Sequence, residues 1–140
     1  MKDDVILRTI TKFMLPFIQI FAFYTLAHGE ISPGGGFQAG VIFGASFILI
    51  ALIFGKNEAR SKLPRSLNDI LFSSGAFIYA LTGLFCIFTG GLFLEYGELP
   101  FHSAKEGNHI GMIIIELGVA ITVAAVMMTI FFEIAGKEDD

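Results

Sequence analysis

The chain carries two long stretches without a single charged side chain, Ile31 to Gly55 and Ile70 to Leu94. Each exceeds the roughly 20 apolar residues that a helix needs to cross a hydrocarbon layer about 30 Å thick. In lipid every backbone N–H and C=O must be satisfied within the segment, so runs of this kind fold as helices. A third run, Ile110 to Phe132, is interrupted only by Glu116, and a shorter one, Phe13 to Ala27, lies near the amino end. Hydrophobic residues make up 54% of the 140 residues and charged ones 16%, with a mean hydropathy of +0.74. The expectation is an all-α integral membrane protein forming a single membrane domain over residues 1–140. Its four transmembrane helices are expected at about 10–27, 36–55, 70–94 and 110–134.

A cleaved secretory signal is the rival reading of the first segment. Lys2-Asp3-Asp4 is as acidic as it is basic, and Thr25 stands where a cut after Ala27 calls for a small residue. A retained helix is the better expectation. Orientation follows from Lys and Arg in the connections. The amino end carries Lys2, Arg8 and Lys12, Lys56, Arg60, Lys62 and Arg65 lie between the second and third spans, and Lys137 is in the tail. The other two connections contribute only Lys105. This pattern predicts both termini and the central connection in the cytoplasm. Cys86 is the single cysteine, so no intrachain disulfide forms.

The connection between the first two spans is dense in glycine. It reads His28-Gly29-Glu30-Ile31-Ser32-Pro33-Gly34-Gly35-Gly36-Phe37-Gln38-Ala39-Gly40. Pro33 fixes one φ angle, while Gly34, Gly35 and Gly36 permit backbone shapes that other residues avoid. No Lys-Ser/Thr follows the glycines, which sets aside a phosphate-binding loop. A shaped joint at the outer membrane face is expected instead. Gly36, Gly40 and Gly44 recur every four residues beside Phe37 and so line one face of a helix. Such a face lets two backbones approach closely. It serves either packing within the chain or docking of another subunit, and the sequence leaves both open. Pro16 is expected to bend the first helix, and Gly90-Gly91 to kink the third or mark a close contact.

Glu116 is the ionisable side chain inside an apolar span, placed about two turns below the outer end of the fourth. Burying it costs about 2.5–3.5 kcal/mol even on the lenient insertion scale. It either relays a proton or cation or joins its helix to a neighbour by hydrogen bonds. Gln19, Tyr79 and Thr82 are its candidate hydrogen-bond partners, or else purely structural groups. His28 and Glu30 flank the turn, so the ion-path candidates are Glu116, His28 and Gln19. The histidines His28, His102 and His109 fit no metal-ligand spacing, and neither a metal nor a cofactor is expected. Asn68-Asp69 reads as an N-cap for the third helix, and Leu99-Pro100-Phe101 as a segment dipping back to the membrane. No nucleophile–base pair marks an enzyme, and a net charge of −4 disfavours nucleic acid.

The segment His28 to Gly44, with Ser-Pro-Gly-Gly-Gly-Phe-Gln-Ala-Gly at its centre, resembles the B subunit of the multi-subunit Mrp/Mnh-type cation/proton antiporters. The resemblance extends to chain length, the four-helix layout and Gly107-Asn108-His109-Ile110-Gly111. It departs at Glu30, where His or Asn is expected after the glycine. The resemblance implies a small subunit of the cell membrane, sitting in a large assembly that exchanges protons for Na⁺ or another monovalent cation. Large antiporter-like subunits are then its partners, and this chain completes the module and lines part of the cation path. The alternatives are the equivalent subunit of a redox-driven ion pump, such as a membrane-bound hydrogenase, or a non-transporting scaffold. The residues themselves point to an obligate subunit. One buried carboxylate is too little for alternating access, and no pair of matching halves with broken helices is present.

Overall fold

The computed structural model describes residues 4–29 and 34–136, and every described regular element is helical. The helices are α1 (Val5–Ala27), α2 (Gly36–Phe54), α3 (Lys56–Lys62), α4 (Arg65–Phe88) and α5 (Ala104–Gly136), with a 3-10 turn η1 (Tyr96–Glu98) before α5. Four of them, α1, α2, α4 and α5, are long and apolar enough to cross a membrane.

Local chemistry explains where the helices differ from the expected spans. α1 starts at Val5 because the Asp4 carboxylate accepts hydrogen bonds from the Ile6 and Leu7 N–H groups, both at 3.1 Å. That is an N-cap satisfying two of the orphan donors of a first turn. Gly55 turns the chain at φ +101° after α2, and α3 follows inside a connection that reads as a loop. Ala59 and Leu63 anchor this short helix, both buried. α4 begins at Arg65, one residue after Pro64, rather than near residue 70. It ends at Phe88, not near residue 94. Gly90 adopts φ +102° and the Gly91 N–H bonds back to the Cys86 carbonyl, 3.0 Å, closing the last turn. The glycine pair thus stops the helix instead of kinking it.

Asn68 is not a cap. It lies in the first turns of α4, 2% exposed, and its amide donates to the Ala125 carbonyl and the Thr129 hydroxyl on α5. Leu99 turns inward and is buried. Burial, with Tyr79 and Cys86 nearby, holds the Tyr96 phenol above its ordinary range.

The spans form a row in the order α1, α2, α5, α4. Gln19 pairs with Ser46 and Phe23 with Phe43, so α1 and α2 are antiparallel. Asn68 meets Ala125 and Thr129 while Gly75 meets Gly118 and Thr122, so α4 and α5 are antiparallel too. At the centre Gly36 lies on Glu116, Gly40 on Ala120 and Gly44 on Ala124. Numbering rises together on both sides, so α2 and α5 run parallel. The glycine face therefore packs within the chain. A methyl group on Gly40 would sit 2.6 Å from the Ala120 carbonyl oxygen. This approach brings Cα–H groups onto carbonyls, each worth about 0.5–1 kcal/mol. In the spanning segments 39% of α2 is buried but only 11% of α1 and 17% of α4, so the outer helices present their apolar faces outward.

Gly40→Leu forces this contact apart and should lower stability by about 1–3 kcal/mol, read by heating the detergent-extracted protein. Ala45→Leu, on the exposed side of the same helix, should leave the transition unmoved. The charge pattern and the up-and-down row make a second prediction. A phosphatase that works only outside the cytoplasm should be inactive when fused after Gly136 and active when fused at Gly97.

Candidate functional site

The α2–α5 contact ends at Gly36, which has no side chain and lies directly against the Glu116 backbone; a methyl group there would overlap the Glu116 carbonyl. This pairing fixes where the carboxyl goes. Its oxygens rest on the glycine turn, such that a methyl group on Gly29 would lie 2.5 and 2.6 Å from them and one on Gly35 would lie 3.1 Å from Oε1. The Gly29 and Gly35 backbones also approach one another, since the same methyl on Gly29 would come 2.8 Å from the Gly35 Cα. Two strands of bare backbone thus form a cradle that side chains would fill. Gly35 holds φ +113° and ψ −171°, a region essentially reserved for glycine.

Gly35 is also the N-cap of α2 and supplies no side-chain cap. The first N–H groups of a helix have no partner within it, and the aligned peptide dipoles leave that end positive. The Glu116 carboxyl sits beside this end, where negative charge is stabilised.

Depth departs from expectation. α5 already begins at Ala104, so Glu116 is about 18 Å along it. Yet Glu116 is level with Gly36, the first residue of α2. The first three turns of α5 project past the end of α2 and pack on η1, with Gly107 and Gly111 against Tyr96. The carboxyl therefore lies more than three turns from the end of its own helix, not two, yet at the level of the turn.

The expected partners are elsewhere. The Gln19 amide donates to the Ser46 hydroxyl, 3.4 Å, and Ser46 is about 15 Å along α2 from Gly36. Thr82 donates to the Ile78 carbonyl and Tyr79 meets the Phe93 ring. His28 caps α1, with Nδ1 3.0 Å from the Tyr24 carbonyl oxygen and its ring stacked on Tyr24 at 4.2 Å. It immediately precedes Gly29 and so stands next to the cradle, unlike Gln19. Gly34 packs on Thr25, and Phe37 points outward, 66% exposed. Pro33, with Glu30, Ile31 and Ser32, lies outside the described residues. Among the described residues, no group of His, Cys, Asp or Glu is arranged to hold a metal ion. Gly29 escaped the sequence reading, because its role depends on a contact with α5 that no local spacing encodes.

The sequence profile for a domain related to the MnhB subunit of Na⁺/H⁺ antiporter matches residues 6–129. The chain belongs to the MnhB family. Its relatives include a Staphylococcus haemolyticus (strain JCSC1435) protein described as antiporter subunit mnhB2, 37% identical over 137 residues and 96% of each chain. The protein of the same description from Staphylococcus aureus (strain Newman) is 34% identical over the same length and coverage. These descriptions name an antiporter, which favours that reading over the redox-driven pump. MnhB membership and four apolar helices make the chain a multi-pass protein of the cell membrane, of a transporter rather than an enzyme family.

Gly35 combines contact with the carboxyl and a backbone conformation that other residues rarely adopt. Gly35→Ala should cost about 1–3 kcal/mol through its backbone conformation alone, measured as a lowered thermal midpoint. Phe37→Ala, which removes an exposed side chain, should cost far less.

Proposed function

We propose that this chain is a membrane subunit of a multi-subunit Na⁺/H⁺ antiporter, that it works only within the assembly, and that Glu116 is its contribution to the ion path. The observation carrying the last point is the cradle of Gly29 and Gly35 around the Glu116 carboxyl at the positive end of α2. The two glycines let the carboxyl lie directly against backbone beside that helix end, a placement that favours its charged form. Glu116 takes up a proton or pairs with a monovalent cation, and His28, one residue before the cradle, lines the outer approach. Gln19 is a packing amide between α1 and α2 in this reading. The large antiporter-like subunits supply the remaining polar groups. The apolar faces of α1 and α4 meet lipid and those neighbours.

Glu116→Gln keeps the size and shape of the side chain but removes its charge and turns one acceptor oxygen into a donor. In membrane vesicles holding the whole complex, cation-driven proton exchange should fall about 100-fold, while a native gel shows the complex intact. An intact complex exchanging at the normal rate would return Glu116 to a structural role.

A further inference from the structure

The row of spans is hollowed on one face into a groove of about 260 Å³. Phe23 of α1 and Leu71 of α4 stand at its two sides, with Phe43, Phe47 and Ile121 between them. Leu63, which packs on Ala124 and Met128, bounds one end. The lining carries no polar side chain. Along α5 the groove runs from Leu117 to Met128, a rise of about 16 Å. That is close to the depth of one leaflet in a hydrocarbon layer about 30 Å thick. Spread over this length, the volume gives a cross-section of about 16 Å², against roughly 80 Å² for a helix about 10 Å across. The groove is too narrow to seat a helix and suits a single hydrocarbon chain.

Positive charge gathers just beyond the Leu63 end. Lys12 lies three turns along α1 from Phe23 and so on the same face. Its Nζ is 5.7 Å from the centre of the Phe54 ring, and the Arg8 guanidinium lies over the same ring at 5.2 Å. Phe54 follows Phe47 by about two turns on one face of α2. Arg60 of α3 covers the Phe132 ring at 3.8 Å, and Phe132 packs on the cluster of Leu63, Ala124 and Met128. Glu58 and Glu133, acidic groups at this end, pair with Lys62 and Arg65. Basic groups at a membrane surface attract anionic headgroups. An apolar slot of leaflet depth with cations at one mouth has the outline of a phospholipid.

We propose that the groove holds one acyl chain of an anionic phospholipid, with its phosphate at Lys12 and Arg60. The acyl chain supplies the dispersion contacts that a hollow face lacks, and the phosphate bridges α1 to α3. Nothing in this assignment depends on the role of Glu116.

The test uses the assembled complex in vesicles doped with phosphatidylglycerol or with phosphatidylcholine, each carrying a diazirine in one acyl chain. The two probes share a tail and differ in headgroup charge. After photolysis, the anionic probe should label Phe43, Phe47 and Leu71 about 25-fold more than the zwitterionic one, about fivefold for each cation. Phe13 and Phe17, on the outside of α1, should take both probes alike. Lys12→Gln should lower the groove ratio about fivefold, and Ile121→Trp, which fills the groove, should abolish groove labelling. If Ile121→Trp does not assemble, Lys12→Gln carries the test at an exposed site. Equal labelling of the groove by both probes overturns the headgroup site. A groove that takes neither probe while Phe13 is labelled is covered by protein, which overturns the lipid altogether.

Discussion

The close approach of α2 to α5 is the interaction on which the rest of this structure depends. Gly36, Gly40 and Gly44 let one backbone lie on the other at Glu116, Ala120 and Ala124. In lipid there is no hydrophobic force to drive helices together, so contacts of this kind do the holding. The same contact determines the register of the two helices. Register in turn decides which residue of α5 faces the glycine turn, and that residue is Glu116. A shift of a single residue would rotate the carboxyl about 100° away from Gly29 and Gly35. Packing and site are thus one constraint seen at two places.

The spans were legible because bilayer thickness and the backbone's need for hydrogen bonds act on composition alone. Ile31–Gly55 and Ile70–Leu94 needed no knowledge of neighbours. Helix ends were less legible, since they depend on single capping groups: the Asp4 carboxylate extends α1, and Gly90 ends α4. Asn68 shows the limit most plainly. Its type and position suit an N-cap, yet Pro64 already starts the helix one turn earlier, and the amide turns to α5 instead. The periodicity of Gly36, Gly40 and Gly44 announced a close helix contact without naming the helix. Glu116 stood out as an ionisable group in an apolar run, but its surroundings came from Gly29 and Gly35, residues some eighty positions away.

The row of spans explains why a chain of this size serves as part of something larger. A closed bundle hides the inner face of every helix. Here only α2 and α5 have neighbours on both sides, and α1 carries Phe13, Phe17, Ile20 and Tyr24 on its outside. Lipid satisfies such a surface, and so does another membrane subunit. Polar side chains within the spans are few, which suits a subunit of an assembly rather than a transporter complete in itself.

The unequal lengths of α2 and α5 carry a consequence for the membrane itself. α2 spans about 28 Å, slightly less than a typical hydrocarbon layer, whereas α5 runs for about 50 Å. Beside α2 the bilayer meets a short wall, and it accommodates such a mismatch by thinning or by drawing polar material inward. Glu116 stands at the top of that wall. The carboxyl that reads as mid-span along α5 therefore falls at the very end of the span that α2 provides.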